Sequence, residues 1–205
     1  MFQHHRQNYS EVNFSGQDMR YGELTNCTFT RCSFANGVLD EINSINCRFV
    51  ECDFQGASLN GSIHNESAFE NCNFSRTNLF CSKFVTCKMT GSDFTDSTLD
   101  GFTISKGDWS YTILRNARLV RQDLREVRFL EVDFSGANLE KADLRGADLT
   151  LASFSKAKLH GADVRGANMN GVDFKAFTIS GMRLDKEQAI LYTLSHGAKI
   201  GRAHV

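Results

Sequence analysis

Seven cysteines are the residues of this 205-residue chain best suited to metal binding or nucleophilic chemistry. Six of them have numbers ending in 2 or 7, namely Cys27, Cys32, Cys47, Cys52, Cys72 and Cys87. None forms a CxxC pair, and no histidine lies at zinc-ligand spacing from these clusters. This regular spacing, in multiples of five residues, indicates that the six cysteines are small buried side chains and not ligands of a metal or members of a disulfide framework. We therefore expect reduced thiols in a cytoplasmic protein.

The histidines do not complete a catalytic arrangement either. They are His4, His5, His64, His160, His196 and His204. None has a neighbouring Cys, Ser or Asp in a recognisable motif, and the chain lacks a P-loop, a GxGxxG and an HExxH sequence. We therefore predict a protein that is not an enzyme, with no catalytic residue, cofactor or metal.

Aspartates recur at long, regular spacings. Asp53, Asp93, Asp133 and Asp173 are 40 residues apart, whereas Asp123, Asp143 and Asp163 are 20 apart. Each member of the second set is followed two residues later by an arginine, at 125, 145 and 165. Two interpretations stay open for these seven candidate contact residues: recognition of a partner, or a surface in which the charges neutralise one another.

The composition limits the class of protein. Lys and Arg number 23 and Asp and Glu 24, a net charge of −1, which argues against direct nucleic-acid binding through a broadly basic surface. Apolar residues make up 41%, enough for a core. No apolar run is long enough for a membrane helix, and the N-terminal residues lack the apolar core of a secretory signal.

A five-residue period runs through the chain. From Tyr9 to Leu184, every number ending in 4 or 9 is apolar, except at Ser44 and His64. A small residue lies two positions earlier, and the other three positions are mostly polar or Gly. This period fits neither an α-helix nor a simple strand, but it fits a square coil with one pentapeptide per side. The absence of proline agrees, since each coil must donate backbone N–H groups to the next.

A 20-residue superperiod supports four sides per coil. Residues 20 apart form a phenylalanine column, which we predict as the structural core: Phe14, Phe34, Phe54, Phe74, Phe94, Phe134, Phe154 and Phe174. The 36 inward positions make about nine coils and a rod of about 43 Å. We expect an all-β solenoid at 7–184, an N-terminal tail at 1–6, and a C-terminal capping or dimerisation segment at 185–205.

Two local features interrupt or end the pattern. At Ser44 and His64 we expect a bulge that turns Ile45 and Ile63 inward, with a recognition spot on that wall as the alternative. After Leu184 the repeat stops, and the sequence predicts a helix of about 11 residues.

The predicted helix begins at an Asp185 N-cap with Gln188 at its third position, has His196 in its last turn, and is closed by Gly197. It either caps the last coil or adds a two-fold dimer contact to that cap. The candidate dimer-interface residues are Ile179, Met182, Ile190, Leu191 and Leu194.

Segments 137–141, 142–146 and 147–151, each beginning Ala-Asn-Leu or Ala-Asp-Leu, resemble the A(D/N)LXX motif of pentapeptide-repeat proteins. That resemblance implies a right-handed quadrilateral β-helix. The stretch Ser67–Leu79 and the tail segments Leu184–Ile190 and Ser195–Gly197 resemble the MfpA and Qnr fluoroquinolone-resistance group. The five-residue register never breaks, so the loop-free branch of that group is the better match.

The resemblance implies a function as well as a fold. Such proteins form a homodimer through the C-terminal end, mimic B-DNA, bind DNA gyrase and topoisomerase IV, and protect these enzymes from quinolones. A near-neutral dimer could mimic DNA only locally, because B-DNA of the same length carries about 50 negative charges. Residues 1–100 hold seven basic and twelve acidic groups, whereas residues 101–205 hold sixteen basic and twelve acidic groups. The alternative is a generic scaffold for an unknown protein partner.

Overall fold

The computed structural model describes residues 2–201 and shows a parallel β-solenoid followed by one helix. Met1 and residues 202–205, which include His204 and the end of the predicted C-terminal segment, lie outside the described residues. The strands are β1 Gln3–His5, β2 Asn8–Ser10, β3 Glu23–Thr25, β4 Thr28–Thr30, β5 Asn43–Ile45, β6 Arg48–Val50, β7 Ile63–Asn65, β8 Ala68–Glu70, β9 Lys83–Val85 and β10 Thr103–Ser105; the helix is α1 Lys186–Ser195.

Two walls of the solenoid contain parallel sheets. One has the order β1-β3-β5-β7-β9-β10 and the other β2-β4-β6-β8. The remaining walls are joined by isolated parallel bridges, such as Ser33↔Asp53 and Val38↔Ser58. Bridged residues are 20 apart, from Gln3↔Glu23 to Asp163↔Arg183. The predicted β-solenoid and its 20-residue step are therefore confirmed, whereas the count of nine coils stays a prediction.

The corners of the square lie at residues whose numbers end in 1 or 6. Twenty-four of these corner residues are not glycine and still have a positive φ, between 49° and 61°. A left-handed residue changes the local direction of the backbone, so one per pentapeptide turns the chain from wall to wall. Asparagine recurs at these corners, for example Asn26 and Asn46, because it tolerates this conformation better than most residues.

The interior is a stack of rings and small side chains. Phe54 lies 4.8 Å from both Phe34 and Phe74, with interplanar angles of 5° and 1°. All eight phenylalanines predicted for the core are buried there. The six cysteines that share the small-residue phase are buried as free thiols, and Cys81 is exposed. Each of those buried thiols is a compact apolar filler between the larger side chains.

The helix closes the C-terminal end of the rod. The Asp185 carboxylate accepts hydrogen bonds from the backbone N–H groups of Glu187 and Gln188, and the Gln188 side chain accepts one from the Asp185 N–H. Gln188 is itself buried and donates to the Ala167 carbonyl at 2.8 Å, which fastens the helix to the coil below. The prediction of His196 within the last turn is wrong, because the helix ends at Ser195 and His196 is the C-cap.

Candidate interaction surface

One wall presents a column of carboxylates, which we call the acidic wall: Asp53, Asp93, Asp133 and Asp173. Bridges connect the first three through one intervening residue each, by way of Asn73 and then Ile113. The carboxylates therefore stand on alternate coils, about 9.6 Å apart at the usual strand spacing. Within residues 2–201, no bridge continues this column from residue 153 to 173.

Each carboxylate of the acidic wall closes a local turn by accepting the backbone N–H two residues later, at 2.8–3.0 Å. Asp53 also accepts a bond from the Asn73 amide, and Asp93 accepts one from the Thr95 hydroxyl. Asp133 forms an ion pair with Arg115. Among the described residues, no ion pair involves Asp53, Asp93 or Asp173, so no basic side chain binds these three carboxylates.

A second wall, which we call the paired wall, holds Asp123, Asp143 and Asp163 with the arginines at 125, 145 and 165. Each guanidinium binds the carboxylate two residues earlier through two nitrogens, with a closest distance of 2.6 Å. The side-chain hydrogen bonds from Arg145 lower the pKa of Asp143. Arg125 and Arg145 also approach the aspartate one coil later, at 3.8 and 4.0 Å. The two aspartate sets are therefore different surfaces: each of the three carboxylates of the paired wall binds an arginine, whereas among the four of the acidic wall only Asp133 does.

The predicted bulge at Ser44 and His64 is wrong. The two residues pair in regular register and are buried, whereas Ile45 and Ile63 are 42% and 40% exposed. Hydroxyl groups make the inward histidine possible, because its Nδ1 lies 2.7 Å from Ser44 Oγ and its Nε2 lies 3.0 Å from Ser62 Oγ. Burial lowers the pKa of His64 to about 3, so the ring is neutral at pH 7.

The C-terminal end presents part of the predicted dimer surface. Ile179, Met182 and Leu191 are partly buried and pack against the core. Ile190 is half-buried, and Leu194 is 47% exposed on the last turn of α1. The candidate dimer-interface residues therefore divide into a set that packs against the core and a set that is partly or largely open to solvent.

Within residues 2–201, there is no group of three or more His, Cys, Asp or Glu side chains that could hold a metal ion. Three clefts of about 230 to 510 Å³ are lined by wall and corner residues between positions 99 and 183. None of the helices in the same range has the length and apolar character required to cross a bilayer.

The fold and surface define a class of protein: a square β-solenoid with charged residues on its outer walls. The family model for pentapeptide repeats matches in eight copies, at residues 8–43, 29–63, 65–96, 110–140 and 133–171. The chain belongs to the pentapeptide-repeat family.

One protein resembles this chain in sequence and another resembles it in fold. The pentapeptide repeat protein MfpA of Mycobacterium tuberculosis is 36% identical over 92 residues, 45% of this chain and 50% of MfpA. The chain thus matches about half the length of that relative. In structure, trypsin-treated QnrB1, a plasmid-mediated fluoroquinolone resistance protein, superposes with a TM-score of 0.81 at 21% identity, covering 95% of this chain and 98% of QnrB1. Full-length QnrB1 gives a TM-score of 0.74 at 19% identity, covering 96% and 100%.

Proposed function

We propose that this protein binds DNA gyrase, and also topoisomerase IV, as a local DNA mimic in the cytoplasm and protects these enzymes from fluoroquinolones. The observation that carries the proposal is the contrast between the two aspartate surfaces. Asp53 and Asp93 repeat along the rod axis without a basic partner, as the phosphates of a DNA strand repeat along its axis. The partial sequence match to MfpA supports the same conclusion.

The acidic wall suits a protein surface that normally receives DNA. Such surfaces neutralise phosphates with Lys and Arg, and a column of carboxylates presents anionic oxygens that the same Lys and Arg side chains can bind. The local turns that Asp53 and Asp93 close hold their carboxylates in place before binding, which reduces the ordering cost. The paired wall lacks this property, since its carboxylates already bind arginine.

A supercoiling assay with purified gyrase and ciprofloxacin tests the proposal. We expect the protein to inhibit supercoiling at micromolar concentration or to reduce drug-induced cleavage, because it occupies the DNA-binding surface. No inhibition and no protection would reject the function. Recovery of other proteins and no topoisomerase in a pull-down would favour a scaffold for a different partner.

We propose further that the protein is a homodimer joined through its C-terminal end. Leu194→Asp should lower the sedimentation mass from about 46 kDa to the 23.0 kDa of one chain, because it places a charge in the contact while leaving the buried face of α1 intact. Leu151→Asp is the matched control, since Leu151 is 53% exposed at a corner of the solenoid. A dimer that persists in Leu194→Asp, or that the control also dissociates, would contradict this interface.

A further inference from the structure

The backbone ladder between successive coils is interrupted along one half-turn, which we call the open seam: residues 96–106 facing residues 115–125. One coil earlier, the Leu79 N–H donates to the Thr98 carbonyl at 2.9 Å, and one coil later Leu119 donates to Asn138 at 2.8 Å. Leu99 lies between them and makes no equivalent bond. Seven donors in this part of the described chain lack the expected inter-coil bond: Asp96, Leu99, Gly101, Ile104, Lys106, Arg118 and Asp123.

The inter-coil hydrogen bonds remain intact on the two walls that lie across the rod from the open seam. Phe94 donates to the Ile113 carbonyl at 2.9 Å, and Trp109 donates to the Arg128 carbonyl at 2.7 Å. The boundary between these two coils is thus open along one half-turn and hydrogen-bonded along the other. This is the geometry of a hinge, because the bonded walls resist separation and the open walls do not.

Two large rings in one coil account for the seam. Phe102 occupies a small-residue position, which holds serine one and two coils earlier and alanine two and three coils later. The Phe102 ring is fully buried, and its centroid lies 5.8 Å from that of Trp109. Trp109 in turn stacks on Phe94 with a centroid distance of 5.5 Å. Extra side-chain volume in a packed interior forces the backbone apart. The Gln122 side chain donates to the Phe102 carbonyl at 2.7 Å in place of the missing Asp123 N–H.

Only weak side-chain links cross the open seam besides that of Gln122. Arg118 lies 3.4 Å from Asp100, and Lys106 lies 3.8 Å from Glu126. All four side chains are more than half exposed, so these ion pairs contribute little and salt screens them. Clefts of about 380 and 230 Å³ lie along the same half-turn.

We propose that the open seam is a hinge at which the two parts of the rod bend, with the bonded walls at Trp109 and Phe94 as the axis. Phe102 and Trp109 keep the hinge from closing, and the exposed ion pairs limit how far it opens. The acidic N-terminal half and the basic C-terminal half meet near this hinge, so bending changes the angle between surfaces of opposite charge. The proposal holds whether or not gyrase is the partner.

Hydrogen exchange of the full-length protein tests the hinge. The amides of Leu99, Gly101 and Lys106 should exchange at least about tenfold faster than those of Leu79, Cys81 and Thr86, which are bonded one coil earlier. Raising the salt concentration should increase exchange at the first group and leave the second group unchanged. Equal protection of the two groups, or seam exchange indifferent to salt, would overturn the proposal.

The variant Phe102→Ser should close the open seam, because the serine one coil earlier, Ser82, fits the same position and donates to the Leu59 carbonyl. We expect its seam amides to become about tenfold better protected than in the parent. Trp109→Phe replaces the indole by the smaller phenyl ring that the same column holds at Phe129, and it should act in the same direction. This second variant keeps the proposal testable if the first one misfolds. Acrylamide quenching of Trp109, the single tryptophan, should fall in Phe102→Ser. Unchanged exchange in both variants would contradict the assignment.

Discussion

Replacing Phe54 by alanine should lower the free energy of unfolding by about 4 kcal/mol. The ring is buried between Phe34 and Phe74 at 4.8 Å on either side, and it meets Phe49 edge-on at 5.6 Å. The inter-coil ladder fixes the height of each layer, for example through the 2.7 Å bond from the Phe54 N–H to the Asn73 carbonyl. The neighbouring rings therefore cannot collapse into the cavity, and the loss should lie within the range of about 3–5 kcal/mol that such substitutions cost. Urea denaturation followed by circular dichroism measures it.

Phe80→Ala is the matched control for this prediction. Phe80 is 51% exposed on an outer wall, so the same truncation there should cost less than about 0.5 kcal/mol. If the two substitutions prove equally mild, Phe54 does not stack inside a closed coil and the predicted core would be wrong.

Acidification should destabilise the protein through His64 before most carboxylates titrate. Burial lowers the pKa of His64 from its ordinary value of 6.5, which the unfolded chain retains, to about 3 in the folded state, so the unfolded chain binds the proton more tightly. Stability is therefore complete above pH 6.5 and is lost as the pH falls from there toward the folded-state pKa. By about pH 4.5 this single ring should remove about 3 kcal/mol, since each pKa unit corresponds to about 1.4 kcal/mol.

His64→Phe isolates that contribution. The ring of His64 has its centroid 4.5 Å from that of Phe84 and 5.1 Å from that of Phe69. A phenylalanine at this position therefore continues an existing aromatic cluster. The parent and the variant should lose stability in parallel at the lowest pH, where the shared carboxylates titrate, but only the parent should lose stability between pH 6.5 and about 4.5. Identical pH profiles would mean that the ring is not held neutral in the interior. The free energy of unfolding at several pH values provides the comparison.

Much of the fold can be predicted from the sequence, because the five-residue period arises from a physical constraint that repeats in every coil. Each apolar centre must face inward, and a single slip of phase would expose all the later centres. The helix was predictable for a local reason, since Asp185 and Gln188 satisfy the N-terminal amides on their own. The number of coils and the domain limits remain predictions from that pattern.

The features that sequence reasoning missed depend on contacts between distant residues. An inward His64 is acceptable only because serines at 44 and 62 reach its two ring nitrogens, which an apolarity pattern does not record. The ion pair between Arg115 and Asp133 likewise joins residues 18 apart, whereas the arginines of the paired wall lie only two residues from their aspartates and are visible in the sequence. The open seam did leave a signal, namely a phenylalanine at a small-residue position seven residues before the single tryptophan.

The acidic wall should take the place of DNA on gyrase. Competition between this protein and a labelled DNA fragment for purified gyrase, followed by fluorescence anisotropy, measures this exchange directly. We predict that the protein displaces the DNA, that Asp53→Asn combined with Asp93→Asn weakens displacement by about tenfold, and that Asp123→Asn combined with Asp143→Asn changes it little. Gyrase that keeps its DNA at saturating protein, or equal loss in the two double variants, would contradict DNA mimicry by this wall.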